Sequence, residues 1–297
     1  MGPVKGGTHI ADIDAKMAEN EANVAPARPA WFRLLRSLLL AYVAIIVLAM
    51  IFEERLIYFP RPYDGGPHWT PMGINHEDVF FTAEDGTNLH GWYCPVDEPR
   101  AVVLFAHGNA GNISGRAMTI ALLQKHLDAS VFCFDYRGYG QSDGRPNETG
   151  VLQDARAARG WLLKRVGLES DEIVLMGRSL GGAVAVDLAA DGGARALVLE
   201  STFTSLPDMG ARQFPWLPVR LLMRSKYDSL SKIERYDGPL FQSHGDADAI
   251  VPFEFGRKLH EAAAGVKEFF VCEGGDHNDP QPVSYYHSLD GFLRELP

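Results

Sequence analysis

The sequence predicts an α/β fold, a mostly parallel sheet flanked by helices, and three observations carry that expectation. From residue 101 onward, apolar runs of strand length alternate with segments of helical length, the order that βαβ units impose. Before them, Asp78-Val79-Phe80-Phe81-Thr82 and Leu89-His90-Gly91-Trp92-Tyr93 bracket Glu84-Asp85-Gly86, the pattern of an antiparallel hairpin. Finally, Gly177-Arg178-Ser179-Leu180-Gly181 stands between the apolar run Ile173-Val174-Leu175-Met176 and a helix-forming stretch that closes at Gly192-Gly193. A sharp strand-to-helix turn of this composition can lift one serine hydroxyl clear of the backbone.

In chain order, residues 1–30 are small, polar and mixed in charge, and are expected to form a disordered cytosolic leader. Gly2 is not a myristoylation signal, because Gly6 stands where Ser or Thr is required. Residues 31–56 are expected to form a transmembrane anchor. The uncharged run from Ser37 to Phe52 reaches about 24 Å at 1.5 Å per residue. Leu34, Leu35, Leu56 and Ile57 extend it if Arg36, Glu53 and Glu54 snorkel. Arg28, Arg33 and Arg36 precede the run, and Glu53 and Glu54 follow it. The positive-inside rule then puts the N-terminus in the cytosol and the following domain on the extracytoplasmic, periplasmic or luminal side. A cleaved signal peptide is disfavoured because no small-x-small site follows the run. A buried amphipathic helix is disfavoured because the run has no polar face.

Residues 57–297 are expected to form the folded domain. The hairpin belongs at the sheet's edge. Strands follow near 102–106, 131–135, 173–176, 196–199, 239–243 and 268–272, with helices near 114–127, 149–166, 180–190, 253–264 and 282–295. Residues 203–236 break the alternation with Pro207, Phe214, Pro215, Trp216, Pro218, Leu221 and Leu222. They fit either a small cap insert over the carboxyl ends of the strands or ordinary helix packing on the sheet.

Composition excludes several classes. A net charge of −10 with no long basic stretch argues against a nucleic-acid partner. Cys94, Cys133 and Cys272 have no framework spacing, and the last two fall in apparent strands as candidate buried small hydrophobes.

The chemistry centres on Ser179. A serine hydroxyl is a poor nucleophile at neutral pH and needs a base poised near it. Of ten histidines, only His277 lies between the last strand and the last helix, where such a base belongs. The base in turn needs an ionised acid to fix its tautomer. Asp248, after the strand Pro239-Leu240-Phe241, is the candidate. Asp246 fits a local turn role beside Gly245, and Glu200 at the end of Leu197-Val198-Leu199 is a third option. A developing oxyanion needs backbone donors. The amide of Leu180 is one, and Asn109 in the loop His107-Gly108-Asn109-Ala110-Gly111-Asn112 is the chosen second, with Ala110 as neighbour. His107 and His244, each before a glycine, fit structural hydrogen-bonding roles. Arg178 fits a structural ion pair, with Asp135 as its partner, better than an anion site.

These segments, with Asp135-Tyr136-Arg137-Gly138-Tyr139-Gly140, Glu200-Ser201-Thr202-Phe203-Thr204-Ser205 and Gly275-Asp276-His277-Asn278, resemble the α/β-hydrolase superfamily. Within it they are similar to the membrane-anchored Bem46, ABHD13 and ABHD17-like group. The resemblance implies an eight-stranded, mostly parallel sheet, with Ser179, Asp248 and His277 as a catalytic triad. It also implies hydrolysis of carboxylic esters or thioesters through an acyl-enzyme, with no metal or cofactor. A small-molecule ester or lipid is then the expected substrate. The alternatives are a peptidase or amidase on the same residues, and a non-catalytic binding protein of hydrolase fold.

Overall fold

The computed structural model describes residues 12–18, 29–71 and 73–296. The chain divides into two compact units, Met1–Ile51 and Phe52–Pro297.

In the first unit, residues 12–18 form a short helix inside the stretch expected to be disordered. Gly2, Gly6 and the rest of that leader up to residue 28 lie outside the described residues. A second helix runs Ala30–Ile51, and none of its residues is buried. Its 22 residues reach about 33 Å, enough to cross a ~30 Å hydrocarbon layer. By length and composition it is a candidate membrane anchor or signal sequence. It ends before Glu53, so the expected extension through Glu53 and Leu56 is corrected. Glu53 opens a separate short helix, Glu53–Ile57, and is 5% exposed. Its carboxylate accepts the Arg224 amide at 3.1 Å and the Ser225 amide at 2.7 Å. A buried carboxylate with such partners is held by the domain and cannot reach out to a membrane surface.

The second unit is built on one eight-stranded sheet. Its strands are β1 (Glu77–Thr82), β2 (Asn88–Cys94), β3 (Ala101–Ala106), β4 (Ala129–Phe134), β5 (Val174–Arg178), β6 (Ala196–Glu200), β7 (Leu240–Gly245) and β8 (Lys267–Cys272). They lie in the order β1-β2-β4-β3-β5-β6-β7-β8. The β1–β2 hairpin and the β2–β4 pair are antiparallel, and every other pair is parallel. Five helices accompany the parallel strands: α1 (Ala117–Leu127), α2 (Glu148–Val166), α3 (Leu180–Gly192), α4 (Phe253–Ala262) and α5 (Val283–Glu295).

The strand pattern shows why both faces are covered. On β3, Val102, Leu104 and Ala106 enter one core cluster, while Ala101, Val103 and Phe105 enter the other. Side chains alternate across a strand, so an unbroken apolar run feeds two cores at once. The α2 ends are equally local. The Asn147 side chain accepts the Gly150 amide at the N-terminus, and Gly167 closes the helix at φ +70°.

Residues 203–236 contain the short helices Leu206–Gln213, Val219–Leu222 and Ser229–Ile233. Phe203, Tyr227 and Ile233 are buried in the core, whereas Phe214, Trp216 and Leu221 are exposed. The ends of the segment pack as ordinary structure, and only its middle leaves apolar side chains in the open. The three cysteines are free thiols. Cys94 and Cys133 are buried, but Cys272 is only half-buried, a correction to the expectation for that strand.

Candidate active site

Ser179 sits where β5 breaks into α3. Its backbone is at φ 53° and ψ −118°, a region that L-residues rarely adopt. The two flanking glycines of the motif answer to space. A Cβ on Gly177 would run into the Gly181 carbonyl, and one on Gly181 would run into the Ala106 carbonyl at the end of β3. The turn is that tight because the following helix passes directly over the adjacent strand. Ser179 donates its amide to the Glu200 carbonyl at 2.8 Å, and its own carbonyl accepts the Thr202 hydroxyl at 2.8 Å. The loop after β6 therefore grips the elbow from the side.

Residues from three loops at the carboxyl end of the sheet meet at this hydroxyl. His277 Nε2 lies 3.2 Å from Ser179 Oγ. His277 Nδ1 lies 2.8 Å from Asp248 Oδ2. The other Asp248 oxygen accepts the Ile250 amide at 2.9 Å and the Val251 amide at 2.7 Å. Burial acts to raise the Asp248 carboxyl pKa, but hydrogen bonds from His244, His277 and Val251 outweigh it and hold the group well below the ordinary carboxylate value. An ionised carboxylate on Nδ1 orients the ring so that Nε2 faces the serine.

The rival acids are placed elsewhere. Asp246 is exposed and accepts the Gly274 amide at 2.6 Å, a partner on the loop after β8 and not the local backbone expected for it. Glu200 is 1% exposed, and burial raises its carboxyl pKa. It lies in register with Arg178 across β5 and β6.

Leu180 is the first residue of α3, and an amide at that position has no intrahelical partner. The loop after β3 passes beside the elbow, since a Cβ on Gly108 would stand 3.7 Å from Ser179 Cβ. The Asn109 side chain donates to the Ile57 carbonyl and accepts the Tyr139 hydroxyl at 2.8 Å, which holds the loop in place. His107 is buried, and its Nδ1 lies 2.7 Å from the Gly108 carbonyl.

Three features escaped the sequence reading. Arg178 does not pair with Asp135. Its Nη2 donates to the His277 carbonyl at 2.6 Å and reaches the Asp279 carbonyl at 3.3 Å, while Asp135 accepts the Ile113 amide and lies near His107. His244 is closer to the site than a local role required, with Nε2 2.9 Å from the Val251 carbonyl and 3.3 Å from Asp248 Oδ2. Asp276 accepts the amides of Ala249 at 2.8 Å and His277 at 2.7 Å. Only the Gly-Asp-His-Asn string hinted at Asp276. Among the described residues, no group of three His, Cys, Asp or Glu side chains is placed to hold a metal ion.

Comparison with known proteins agrees with this architecture. Residues 101–222 match the family model described as alpha/beta hydrolase fold. The chain is 40% identical over 264 residues to an uncharacterized protein of Mycobacterium tuberculosis, covering 87% of this chain and 92% of that one. It is 33% identical over 262 residues to the alpha/beta hydrolase domain-containing protein WAV2 of Arabidopsis thaliana, covering 80% and 85%. The chain belongs to the alpha/beta hydrolase fold family. The Pyrococcus furiosus esterase Pf2001 shares the fold at a TM-score of 0.65 and 23% identity, over 81% of this chain and 99% of that one. The ferulic-acid-bound Est1E of Butyrivibrio proteoclasticus does so at 0.61 and 18%, over 73% and 98%.

Proposed function

We propose that this chain is a serine hydrolase that cleaves carboxylic or thio esters through an acyl-enzyme. The observation that carries the reading is the chain of contacts Ser179 Oγ, His277 Nε2, His277 Nδ1, Asp248 Oδ2 at 3.2 and 2.8 Å. In this reading His277 takes the serine proton as Oγ attacks the ester carbonyl. The amides of Leu180 and Asn109 receive the oxyanion, and His277 returns the proton to the departing alcohol or thiol. Water then repeats the cycle to release the acid. Membership of the alpha/beta hydrolase fold family supports hydrolase chemistry at this site.

The reading extends to place and substrate. The Ala30–Ile51 helix serves as a membrane anchor, with the N-terminus cytosolic and the folded domain extracytoplasmic, the orientation that Arg28, Arg33 and Arg36 before the run favour. Exposed Phe214, Trp216 and Leu221 in the 203–236 insert favour substrates with an acyl chain. The test is labelling with a fluorophosphonate probe, followed by turnover of p-nitrophenyl esters of increasing chain length. Ser179→Ala should abolish labelling and lower turnover on the order of 10⁴-fold or more. Labelling that persists in the mutant sinks the assignment of Ser179, and an optimum at acetate rather than longer chains sinks the acyl-chain reading.

A further inference from the structure

Arg178 lies one residue before Ser179, but its guanidinium is spent on the loop that carries His277. Its Nη2 donates to the His277 carbonyl at 2.6 Å and approaches the Asp279 carbonyl at 3.3 Å. The other side of the same residue is held as well, because the His277 amide donates to Asp276 Oδ1 at 2.7 Å. Both peptide groups that flank the His277 Cα are thus tied, one by Arg178 and one by Asp276. With both ends of the residue fixed, the height of the imidazole above Ser179 Oγ is fixed too.

The loop also borders open space. An open cavity of about 550 Å³ lies against it, lined among others by Ser201, Cys272, Asp276, Asp279 and Gln281. Polar groups line part of that space, beside Phe270, Val271, Pro280 and Pro282. Cys272 Sγ donates to Gln281 Oε1 at 3.1 Å, and Gln281 Nε2 donates to Ser243 Oγ at 3.1 Å. Behind them Glu200 is buried opposite Arg178, with one carboxylate oxygen lacking a hydrogen-bond partner. The charge of Arg178 acts to stabilise that buried carboxylate. An arginine suits both tasks, because its fork of fixed donors can serve two carbonyls while its charge stays put.

We propose that Arg178 is a positioning residue for His277, which sets the imidazole at its working distance from Ser179 by holding the His277 and Asp279 carbonyls. The proposal rests on the triad reading above. Its magnitude follows from geometry, since a misplacement of about 1 Å in a reacting group can lower turnover on the order of 10²-fold.

The experiment compares wild type, Arg178→Lys and Arg178→Met on a p-nitrophenyl ester across pH, with fluorophosphonate labelling rates and melting temperatures measured alongside. Arg178→Met should lower kcat about 10²-fold, slow labelling in parallel and leave KM within about twofold. Arg178→Lys, which keeps a charge and can still reach one carbonyl, should fall between the two. Removing Arg178 also strips the buried Glu200 of its counter-charge, so the same change is made in a Glu200→Gln background, where a folding defect from that source is relieved. Folded Arg178→Met with wild-type kcat overturns the proposal. So does a rise in KM confined to acidic esters, which would make Arg178 an anion site. Ser179→Ala and His277→Ala are run in parallel: if they retain turnover, the triad reading itself fails, whatever Arg178 does.

Discussion

The Asp276 carboxylate accepts the Ala249 amide at 2.8 Å, and so joins the loop that carries His277 to the loop that carries Asp248. The same oxygen takes the amide of His277. Asp248 and His277 thus share an anchor that touches neither of their side chains.

That anchor makes a direct prediction. Asp276→Ala should lower ester turnover about tenfold, because a loosened pair of loops costs the His277–Asp248 contact its alignment. Asp276→Asn keeps one acceptor oxygen and should retain more activity than the alanine variant. Steady-state kinetics on the two variants check the order. Equal losses would assign the effect to charge and not to the hydrogen bonds.

Asp248 yields a prediction in pH. Its folded-state pKa is depressed, chiefly because hydrogen bonds from His244 and His277 overcome the opposing effect of burial. A depressed carboxyl contributes stability that is present above the unfolded value near 3.9 and is lost as pH falls through the folded value. The stability gap between wild type and Asp248→Asn should therefore be full at pH 7 and close progressively below about pH 4. Urea unfolding at several pH values measures it. Turnover of the same variant at pH 7 should drop on the order of 10⁴-fold, since an amide cannot impose the right tautomer on His277.

Glu53 tests how the start of the second unit is held to its own 219–226 segment. It accepts the amides of Arg224 and Ser225 from a nearly dry position. Glu53→Ala removes the carboxylate that both amides use and should destabilise the domain by about 1–3 kcal/mol. The measurement is the urea midpoint, with limited proteolysis near residues 219–226 as a local readout. An unchanged midpoint with unchanged cleavage would mean that water replaces the carboxylate at no cost.

Much of this was legible in the sequence because it is local or periodic. Apolar runs such as Val102–Phe105 and Val174–Met176 announce strands buried on both faces, and the hairpin around Asp85-Gly86 announces the antiparallel edge. The Gly177–Gly181 string marks the elbow because two glycines four residues apart are what so close an approach of backbone requires. What the sequence hid was tertiary. The partner of Arg178 lies 99 positions away, and the partners of Glu53 lie 171 and 172 away. No pattern of charge or spacing marks a carbonyl as an acceptor. The expectation that Glu53 would snorkel followed from hydropathy alone, which cannot see that a distant loop offers it two amides. The brace that the Asn109 side chain makes to Ile57 and Tyr139 is likewise a matter of tertiary contact.

The conformation of Ser179 bears on the whole molecule. A non-glycine residue at φ 53° and ψ −118° stores on the order of 1–3 kcal/mol, against a net stability for such domains of about 5–15 kcal/mol. Reactivity and durability are therefore set against each other at one residue, and the rest of the domain must hold a surplus large enough to absorb the difference. The central position of β5, hydrogen-bonded on both sides by β3 and β6, puts the strained residue at the end of a strand with no free edge, where a local opening is least able to relieve it.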